Sequence, residues 1–173
     1  MRTVLPDPLP AEFEELLERR RRWGADTHDE VWEGVCHVTP APSMVHALVT
    51  AQLTVLLTPL ARAAGLATSA EFNLGEGEHD YRVPDLGVHR APTIGAWHPT
   101  AALVVEVVSP GDETFDKIPF YASHGVDEVL IVEPEARTVR WLGLEGGDYR
   151  EIDRSHLIEL GPAELVAQID WPA

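Results

Sequence analysis

Two carboxylates lie inside apolar stretches of the sequence, where charged side chains are uncommon. Glu106 interrupts the apolar residues 101–108, and Asp85 follows Pro84 within the short segment 81–88. A carboxylate inside a sheet stays charged only when a cation, hydrogen-bond donors or a metal ion stabilises it. Because neighbouring strands could bring the two acids together, the pattern predicts a Mg²⁺ site, which Mn²⁺ can also occupy.

Each acid also has an ordinary structural explanation. Glu106 could reach water at the end of its strand, beside the turn residues 109–111. Asp85 could cap a backbone N–H, as Pro-Asp pairs in turns often do. Both explanations remain open at the level of the sequence.

Lysine occurs once among the 13 basic residues, at position 117, and the other twelve are arginine. Residues 114–124 predict a helix that starts near Asp116, because Pro119 is tolerated only in a first turn. Lys117 would then lie near the helix N-terminus, which attracts anions, with Tyr121 one turn later on the same face. A lysine placed there could hold an attacking water or stabilise charge on a phosphate.

The elements that must position these residues follow from periodicity and turn signals. Helices are predicted over 11–22, over the periodic apolar residues 45–60 with Pro59 bending the last turns, over 114–124 and over 162–168. Strands are predicted over 31–39, 66–74, 81–88, 101–108, 128–132, 138–142 and 149–152. The core order helix, three strands, helix, strand predicts one α/β domain with a mixed sheet.

The predicted domain spans residues 1–173. It comprises a helical extension over residues 1–27, a core over about 30–134, and C-terminal strands and a helix over 135–173.

Composition limits the function classes. The formal net charge is −16, from 29 acidic and 13 basic residues, which argues against a polyanionic partner. Cys36 is the single cysteine, so no disulfide forms within the chain. The first residues do not resemble a leader, and apolar runs such as 101–108 are far shorter than the roughly 20 residues of a membrane span, which predicts a cytoplasmic protein without a membrane partner.

The motifs of several other enzyme classes are missing. The histidines do not show a zinc-binding spacing. The sequence lacks a Gly-x-Ser-x-Gly elbow and a phosphate-binding glycine loop, which disfavours acyl transfer and nucleotide hydrolysis.

Three ordered motifs together resemble a known superfamily. They are VPDLGV at 83–88, LVVEVVSP at 103–110 and DETFDKIPFYASHGVDEVLIVEP at 112–134, with 21 residues from Asp85 to Glu106. The set is similar to the PD-(D/E)xK restriction-endonuclease-like superfamily, in particular to its branch of bacterial restriction endonucleases without an assigned biological role. The resemblance covers about residues 30–134. It implies a restriction-endonuclease-like core of helix, three strands, helix and strand.

The resemblance also implies the roles of individual residues. Asp85 and Glu106 would be catalytic acids and metal ligands, joined by the backbone carbonyl of Val107. Val108 stands where the general pattern has lysine. The branch supplies this lysine from the next helix instead, and Lys117, four residues before Tyr121, matches that position.

Supporting residues are less clearly marked. The first core helix lacks the glutamate that many relatives of the superfamily carry there. His46 lies near the start of this helix, as it does in the branch, and Glu33 and Glu71 are nearby acids. These three residues and Tyr121 are expected to support the metal or the water.

The sequence therefore leaves contrasting functions. The main expectation is a Mg²⁺-dependent endonuclease that hydrolyses DNA phosphodiester bonds. The alternative is a catalytically silent module that keeps the fold for binding or assembly, which the acidic charge favours because it slows the approach of DNA. Hydrolysis of RNA or of a small nucleotide is a third option. A homodimer is expected, with Trp141, Trp171 and the C-terminal strands as an apolar surface.

Overall fold

The computed structural model describes residues 3–4, 11–92, 94–111 and 113–172. Residues 1–2 and 5–10 of the predicted N-terminal extension, and Asp112 of the third motif, lie outside the described residues. The strands are, in chain order, β1 (Thr3–Val4), β2 (Glu30–Trp32), β3 (Val35–Val38), β4 (Ala67–Ala70), β5 (Asn73–Gly77), β6 (Asp80–Arg82), β7 (Leu86–His89), β8 (Trp97–His98), β9 (Leu103–Val107), β10 (Glu128–Glu133), β11 (Thr138–Glu145) and β12 (Asp148–Glu151). The helices are α1 (Ala11–Trp23), α2 (Met44–Ala63), α3 (Ile118–Ser123) and α4 (Pro162–Val166), and a 3₁₀ turn at Thr114–Lys117 leads into α3.

The strands form two mixed sheets of six strands each. The N-terminal sheet has the order β1-β3-β2-β6-β5-β8, and the core sheet has the order β12-β11-β10-β9-β7-β4. In the core sheet β9 and β10 are parallel, whereas β7 runs antiparallel to β9. The predicted mixed α/β class is confirmed, but two sheets replace the single sheet that was expected.

Local backbone geometry explains why the predicted strands divide. The strand predicted over 31–39 is a hairpin, because Glu33 and Gly34 adopt positive φ angles of 49° and 85° and turn the chain. The strands predicted over 66–74 and 81–88 each cross from one sheet to the other. The second crossing falls at Pro84 and Asp85, where proline lacks the N–H that a strand ladder requires. Asp85 therefore lies directly before β7 rather than within a strand.

The core sheet is covered on both faces, as expected for a central parallel strand that is apolar except for Glu106. On one face, the buried stripe of α2 packs against Leu103, Val105 and Val107 of β9. On the other face, Val104 packs in a second cluster with Phe120 and Tyr121 of α3. Because side chains alternate along a strand, Glu106 shares the face of Val104. The stripe of α2 consists of Val49, Leu53, Leu57 and Ala61.

The C-terminal strands do not present the apolar surface that was expected for a dimer. Trp141 is only 1% exposed and donates a 2.8 Å hydrogen bond from Nε1 to Glu128. Trp171 is half-buried and packs against the same cluster as α2. The prediction that Trp141 lies on a docking surface is wrong, because this tryptophan completes the core.

Gly87 lies in β7 where an aromatic ring crosses the strand. A Cβ at this position would lie 2.4 Å from Cε1 of Phe72 and 2.7 Å from Nε2 of His89. We expect Gly87→Ala to lower the free energy of unfolding by about 1–3 kcal/mol, the usual cost of overpacking a core. Urea denaturation measures the change. Gly143→Ala, where the nearest atom lies at 3.2 Å, is the control and should cost less.

His89 makes stability depend on pH. Its ring is buried, contacts Phe72 edge-on and lies 2.9 Å from Oγ of Ser69. Burial, and then the nearby His98, lower the pKa of His89 below its ordinary value of 6.5. The folded protein therefore binds this proton less tightly than the unfolded chain, so stability is present above about pH 6.5 and is lost as the pH falls through the folded-state pKa. Urea denaturation over this range should show a smaller loss for His89→Gln, and equal losses would contradict the assignment.

Candidate functional site

A cleft of about 310 Å³ opens where the start of α2, the β2–β3 hairpin and the end of β9 meet. Its lining includes Asp85, Glu106 and Lys117, the three residues that the sequence singled out for chemistry. The tertiary structure thus brings side chains from three separate motifs into one cleft.

Glu106 lies at the base of this cleft and is 3% exposed. Its carboxylate accepts a short hydrogen bond from the hydroxyl of Tyr121. The ammonium of Lys117 lies 3.2 Å from Oε1 and 3.4 Å from Oε2 of Glu106. The structure therefore places Glu106 away from bulk water, in contact with Lys117 and Tyr121 of the third motif.

Lys117 also contacts a carboxylate that the sequence analysis missed. Its Nζ lies 2.9 Å from Oε1 of Glu30, which is 4% exposed. Glu30 is fixed by hydrogen bonds from the backbone N–H of Val83 at 2.8 Å and from Nε1 of Trp32 at 2.7 Å. Lys117 thus bridges two buried carboxylates. The strand that carries Glu30 was predicted to begin one residue later, which left this acid in a loop.

Asp85 is held by the backbone of β9 and by a side chain of α2. Its Oδ2 accepts a 2.7 Å hydrogen bond from the backbone N–H of Val107. Nε2 of His46 lies 3.2 Å from each carboxylate oxygen of Asp85. The N-cap Ser43 accepts a 3.2 Å hydrogen bond from the backbone N–H of His46, so the helix start fixes this residue in the first turn of α2.

The other predicted supporting residues lie in different places. Tyr121 contacts the site directly. Glu71 lines the cleft, where its carboxylate lies 3.2 Å from Nδ1 of His28. Glu33 lies in the exposed hairpin turn and does not line the cleft. Val108, at the position where the superfamily has lysine, packs against the second core cluster instead.

The titration properties of the cluster reflect burial and an excess of negative charge. Burial raises the pKa of Glu106 to about 8; Lys117 opposes this shift, and the carboxylates of Asp85 and Glu30 reinforce it. Burial alone would lower the pKa of Lys117, but Glu106 and Glu30 outweigh it and raise this pKa above its ordinary value. Three carboxylates therefore surround a single lysine, and the cluster favours a further cation.

The donor set can be compared with the requirements of a divalent metal. Among the residues that the structure describes, no three His, Cys, Asp or Glu side chains are grouped to hold a metal ion. Mg²⁺ needs fewer protein ligands, because it usually binds one or two carboxylates and keeps several waters. Asp85 and Glu106 supply two carboxylates at one cleft, which Val107 also lines. The hard oxygen donors and the surplus negative charge therefore fit Mg²⁺ or Mn²⁺.

The fold is that of the restriction-endonuclease-like class, and its cleft brings Asp85, Glu106 and Lys117 together. A solved structure titled "a putative nuclease belonging to DUF820 from Anabaena variabilis ATCC 29413" matches with a TM-score of 0.65 and 17% sequence identity, over 81% of this chain and 90% of that chain. The family model described as "Uma2: Putative restriction endonuclease" matches residues 10–170, and the chain belongs to this family.

A second solved structure also matches the chain, with a lower score. A cryo-electron-microscopy structure titled "DrdV-DNA complex" matches with a TM-score of 0.44 and 14% identity, over 90% of this chain but only 12% of that chain. No curated protein matches the chain. The restriction-endonuclease-like fold class is therefore confirmed by the Anabaena structure and by the family.

Proposed function

We propose that the protein is a divalent-cation-dependent endonuclease that hydrolyses phosphodiester bonds in DNA. The observation that carries this proposal is the contact between Lys117 and Glu106, at 3.2 Å, in the cleft that also contains Asp85. The lone lysine of the chain reaches the acid of the central strand although Val108 occupies the usual lysine position. A surface lysine without a function would not need to be partly buried against two carboxylates.

Asp85 and Glu106 would hold Mg²⁺ or Mn²⁺, with the backbone carbonyl of Val107 as a further ligand. When bound, the cation would polarise the scissile phosphate and lower the pKa of water. Lys117 would hold the attacking water or stabilise the charge that develops on the phosphate.

Three further residues would keep this arrangement in place. Tyr121 fixes Glu106 through its hydroxyl. His46 orients Asp85 from the first turn of α2. Glu30 is a positioning residue, because its carboxylate holds the ammonium of Lys117 at 2.9 Å.

A specific observation also favours the silent-module alternative. The ammonium of Lys117 is within hydrogen-bond distance of both Glu30 and Glu106, so only part of its donor capacity is left for a substrate. The net charge of −16 adds a repulsive field against DNA. A protein that binds a partner but cleaves no DNA in Mg²⁺ or Mn²⁺ would support this alternative.

The test is cleavage of supercoiled plasmid and of single-stranded DNA by the purified protein in Mg²⁺, in Mn²⁺ and in chelator. We expect cation-dependent cleavage that Glu106→Ala abolishes. Asp116→Asn is the matched control, because it removes an exposed acid next to Lys117 and should retain cleavage. Cleavage that survives Glu106→Ala would show a contaminant and would refute the proposal.

The position of the lysine can be tested by moving it. Val108 directly follows β9 and packs against the cluster of Val104, on the face that also carries Glu106. We expect Lys117→Met to abolish plasmid cleavage and the added change Val108→Lys to restore part of it. Val108→Met in the same background is the matched control and should restore nothing. Equal rates for the lysine and methionine variants would show that an ammonium at position 108 does not replace that of Lys117, whereas cleavage that survives Lys117→Met alone would show that the ammonium is not required.

A further inference from the structure

Two side-chain contacts tie the β2–β3 hairpin to the 3₁₀ turn at the cleft. The first joins Glu30 of the hairpin to Lys117 of the turn, at 2.9 Å. The second joins His37 of the hairpin to Glu113, which directly precedes the turn: Nδ1 of His37 lies 2.9 Å from Oε2 of Glu113. The two contacts are neighbours, because Glu30 and His37 are register partners on antiparallel strands and share a face of the hairpin. The roles proposed above use Lys117 and Glu30 and leave His37 and Glu113 without a task.

Among the described residues, three histidines line the cleft, and each of them contacts a carboxylate. The side chain of His28 is 34% exposed, and that of His46, which contacts the proposed metal ligand Asp85, is 14% exposed. The side chain of His37 is only 6% exposed, although it lines the cleft. His37 therefore combines the deepest burial of the three imidazoles with a place on the wall of the cleft.

The ring of His37 is fixed by its face and by one edge. The face stacks on Trp32, with ring centroids 4.2 Å apart and 16° between the ring planes. Trp32 is itself held by a 2.7 Å hydrogen bond from its Nε1 to Glu30. At the edge, the carboxylate of Glu113 favours the form of the imidazole in which Nδ1 carries a proton, so Nε2 is the nitrogen that exchanges protons with a molecule in the cleft. An imidazole that a carboxylate orients in this way is suited to general acid–base catalysis.

We propose that His37, oriented by Glu113, is the general acid that protonates the leaving oxygen of the phosphodiester, a role that rests on the proposed function. In the hydrolysis, the oxygen of water bonds to phosphorus while the bond from phosphorus to the leaving oxygen breaks, and the leaving oxygen keeps the electron pair. Nε2 of protonated His37 gives its proton to this oxygen. The proton of the attacking water passes to solvent, and His37 takes up a proton from solvent before the next turnover. His37 thus acts on the bond that breaks, which the roles proposed for Lys117 and the two metal ligands leave open.

This role makes cleavage depend on the protonation of His37. Two acids face the imidazole: Glu113 at Nδ1, and Glu30 directly opposite on β2, where Lys117 contacts it in turn. On the other side of β3, β1 places Val4 opposite His37, a residue type that does not titrate. Histidine changes charge between about pH 5 and 8, so cleavage should decline on the alkaline side of this range as the proton donor is lost.

The first test is the rate of plasmid cleavage by the full chain in Mg²⁺ over this pH range. His37→Asn is the informative variant, because its amide nitrogen can take the place of Nδ1 beside Glu113 but nothing takes the place of Nε2. We expect His37→Asn to lower the rate by about 10²-fold and to remove the alkaline decline. His79→Asn is the matched control, since the side chain of His79 is 90% exposed, and it should keep both the rate and the pH profile.

A change of leaving group separates a proton donor from a residue that only supports the hairpin. The substrate is an oligonucleotide in which sulfur replaces the leaving oxygen of a linkage that the wild type cleaves, as identified from the product ends. A thiolate leaves without a proton, because a thiol is far more acidic than an alcohol. On this substrate we expect His37→Asn to be slower than the wild type by less than about 3-fold, against about 10²-fold for oxygen. Glu113→Ala, which leaves the imidazole in place, should also lose more activity on oxygen than on sulfur, and it carries the test if His37→Asn does not fold by urea denaturation.

The outcomes distinguish this role from the proposed function. Cleavage that Glu106→Ala abolishes but His37→Asn leaves unchanged would overturn the role of His37 alone. Equal losses on the oxygen and sulfur substrates would also overturn it, because they would show that His37 only supports the cleft. A wild type that cleaves no DNA in Mg²⁺ or Mn²⁺ would refute the proposed function and this role together.

Discussion

Replacing Lys117 by methionine is expected to lower DNA cleavage by at least about 10²-fold and to destabilise the protein by about 3 kcal/mol. The stability loss arises because Glu30 and Glu106 then remain buried without the cation that lies between them. Cleavage is lost because the chain contains no other lysine side chain that could take its place. Plasmid nicking measures the loss of cleavage, and urea denaturation measures the loss of stability.

Glu106→Gln separates activity from stability. This variant should lose cleavage on the order of 10³-fold, as expected for a metal ligand, yet unfold at a higher urea concentration than the wild type. The reason is that burial makes the charged form of Glu106 unfavourable, while Lys117 keeps its contact with Glu30. The amide can still accept a hydrogen bond from Tyr121.

The raised pKa of Glu106 also makes the free energy of unfolding depend on pH. Because the pKa of Glu106 rises from 4.5 to about 8 on folding, the folded protein holds this proton more tightly than the unfolded chain. The stability contribution is present below about pH 4.5 and is lost as the pH rises towards about 8. Lys117→Met should steepen this loss, since it removes the cation that lowers the pKa.

A double-mutant cycle supplies the control. Combining Lys117→Met with Glu106→Gln should recover much of the stability that Lys117→Met alone removes, because only one buried carboxylate then lacks its cation. Strictly additive effects of the two changes would show that Lys117 and Glu106 do not interact in solution. Such additivity would remove the basis of the proposed site.

The second large effect is expected at Glu128, a buried acid outside the cleft. Its carboxylate accepts hydrogen bonds from Nε1 of Trp141 at 2.8 Å, from Oγ of Ser155 at 2.6 Å and from the backbone N–H of His156 at 2.6 Å. Glu128→Ala leaves two buried donors, Nε1 of Trp141 and Oγ of Ser155, without an acceptor, at about 1–3 kcal/mol for each, and removes the hydrogen bond of the part-buried N–H of His156. We expect a total loss of at least about 3 kcal/mol in the free energy of unfolding, measured by urea denaturation.

Two variants define the reason for this loss. Glu128→Gln retains one acceptor oxygen in nearly the same volume, so its cost should lie between those of the wild type and Glu128→Ala. Glu145→Ala removes an exposed acid from the neighbouring strand β11 and should change stability by less than about 0.5 kcal/mol. Equal losses for Glu128→Ala and Glu145→Ala would contradict the role assigned to the buried carboxylate.

Local signals predicted a large part of the fold. The apolar period of α2, the strands at β9 and β10, and the interruption of residues 101–108 by Glu106 are all written in neighbouring residues. The sheet assignments were not predictable, because a strand's partner depends on contacts between distant residues. The predicted strands 66–74 and 81–88 show this limit, since each contributes to both sheets.

Some residues of the candidate site could be predicted from the sequence, and others could not. Asp85 and Glu106 stand out in the sequence because each acid lies within an apolar segment, and Lys117 stands out because it is the only lysine of the chain. Glu30 does not conflict with its context, and only its distance of 2.9 Å from Lys117 marks it as part of the cluster. Trp141 shows the converse, because an aromatic residue on a C-terminal strand can equally well face a partner or the core.

The amino-acid sequence alone determined the class of fold and the three groups suited to phosphodiester chemistry, because periodicity and residue type act over a few neighbouring positions. Tertiary structure alone decided that Lys117 lies between two buried carboxylates, that Asp85 is held by His46 and the backbone of Val107, and that Glu113 holds His37 in the same cleft. Burial, and with it the raised pKa of Glu106, is a property of the packed chain, since it depends on which distant segments exclude water from the same place.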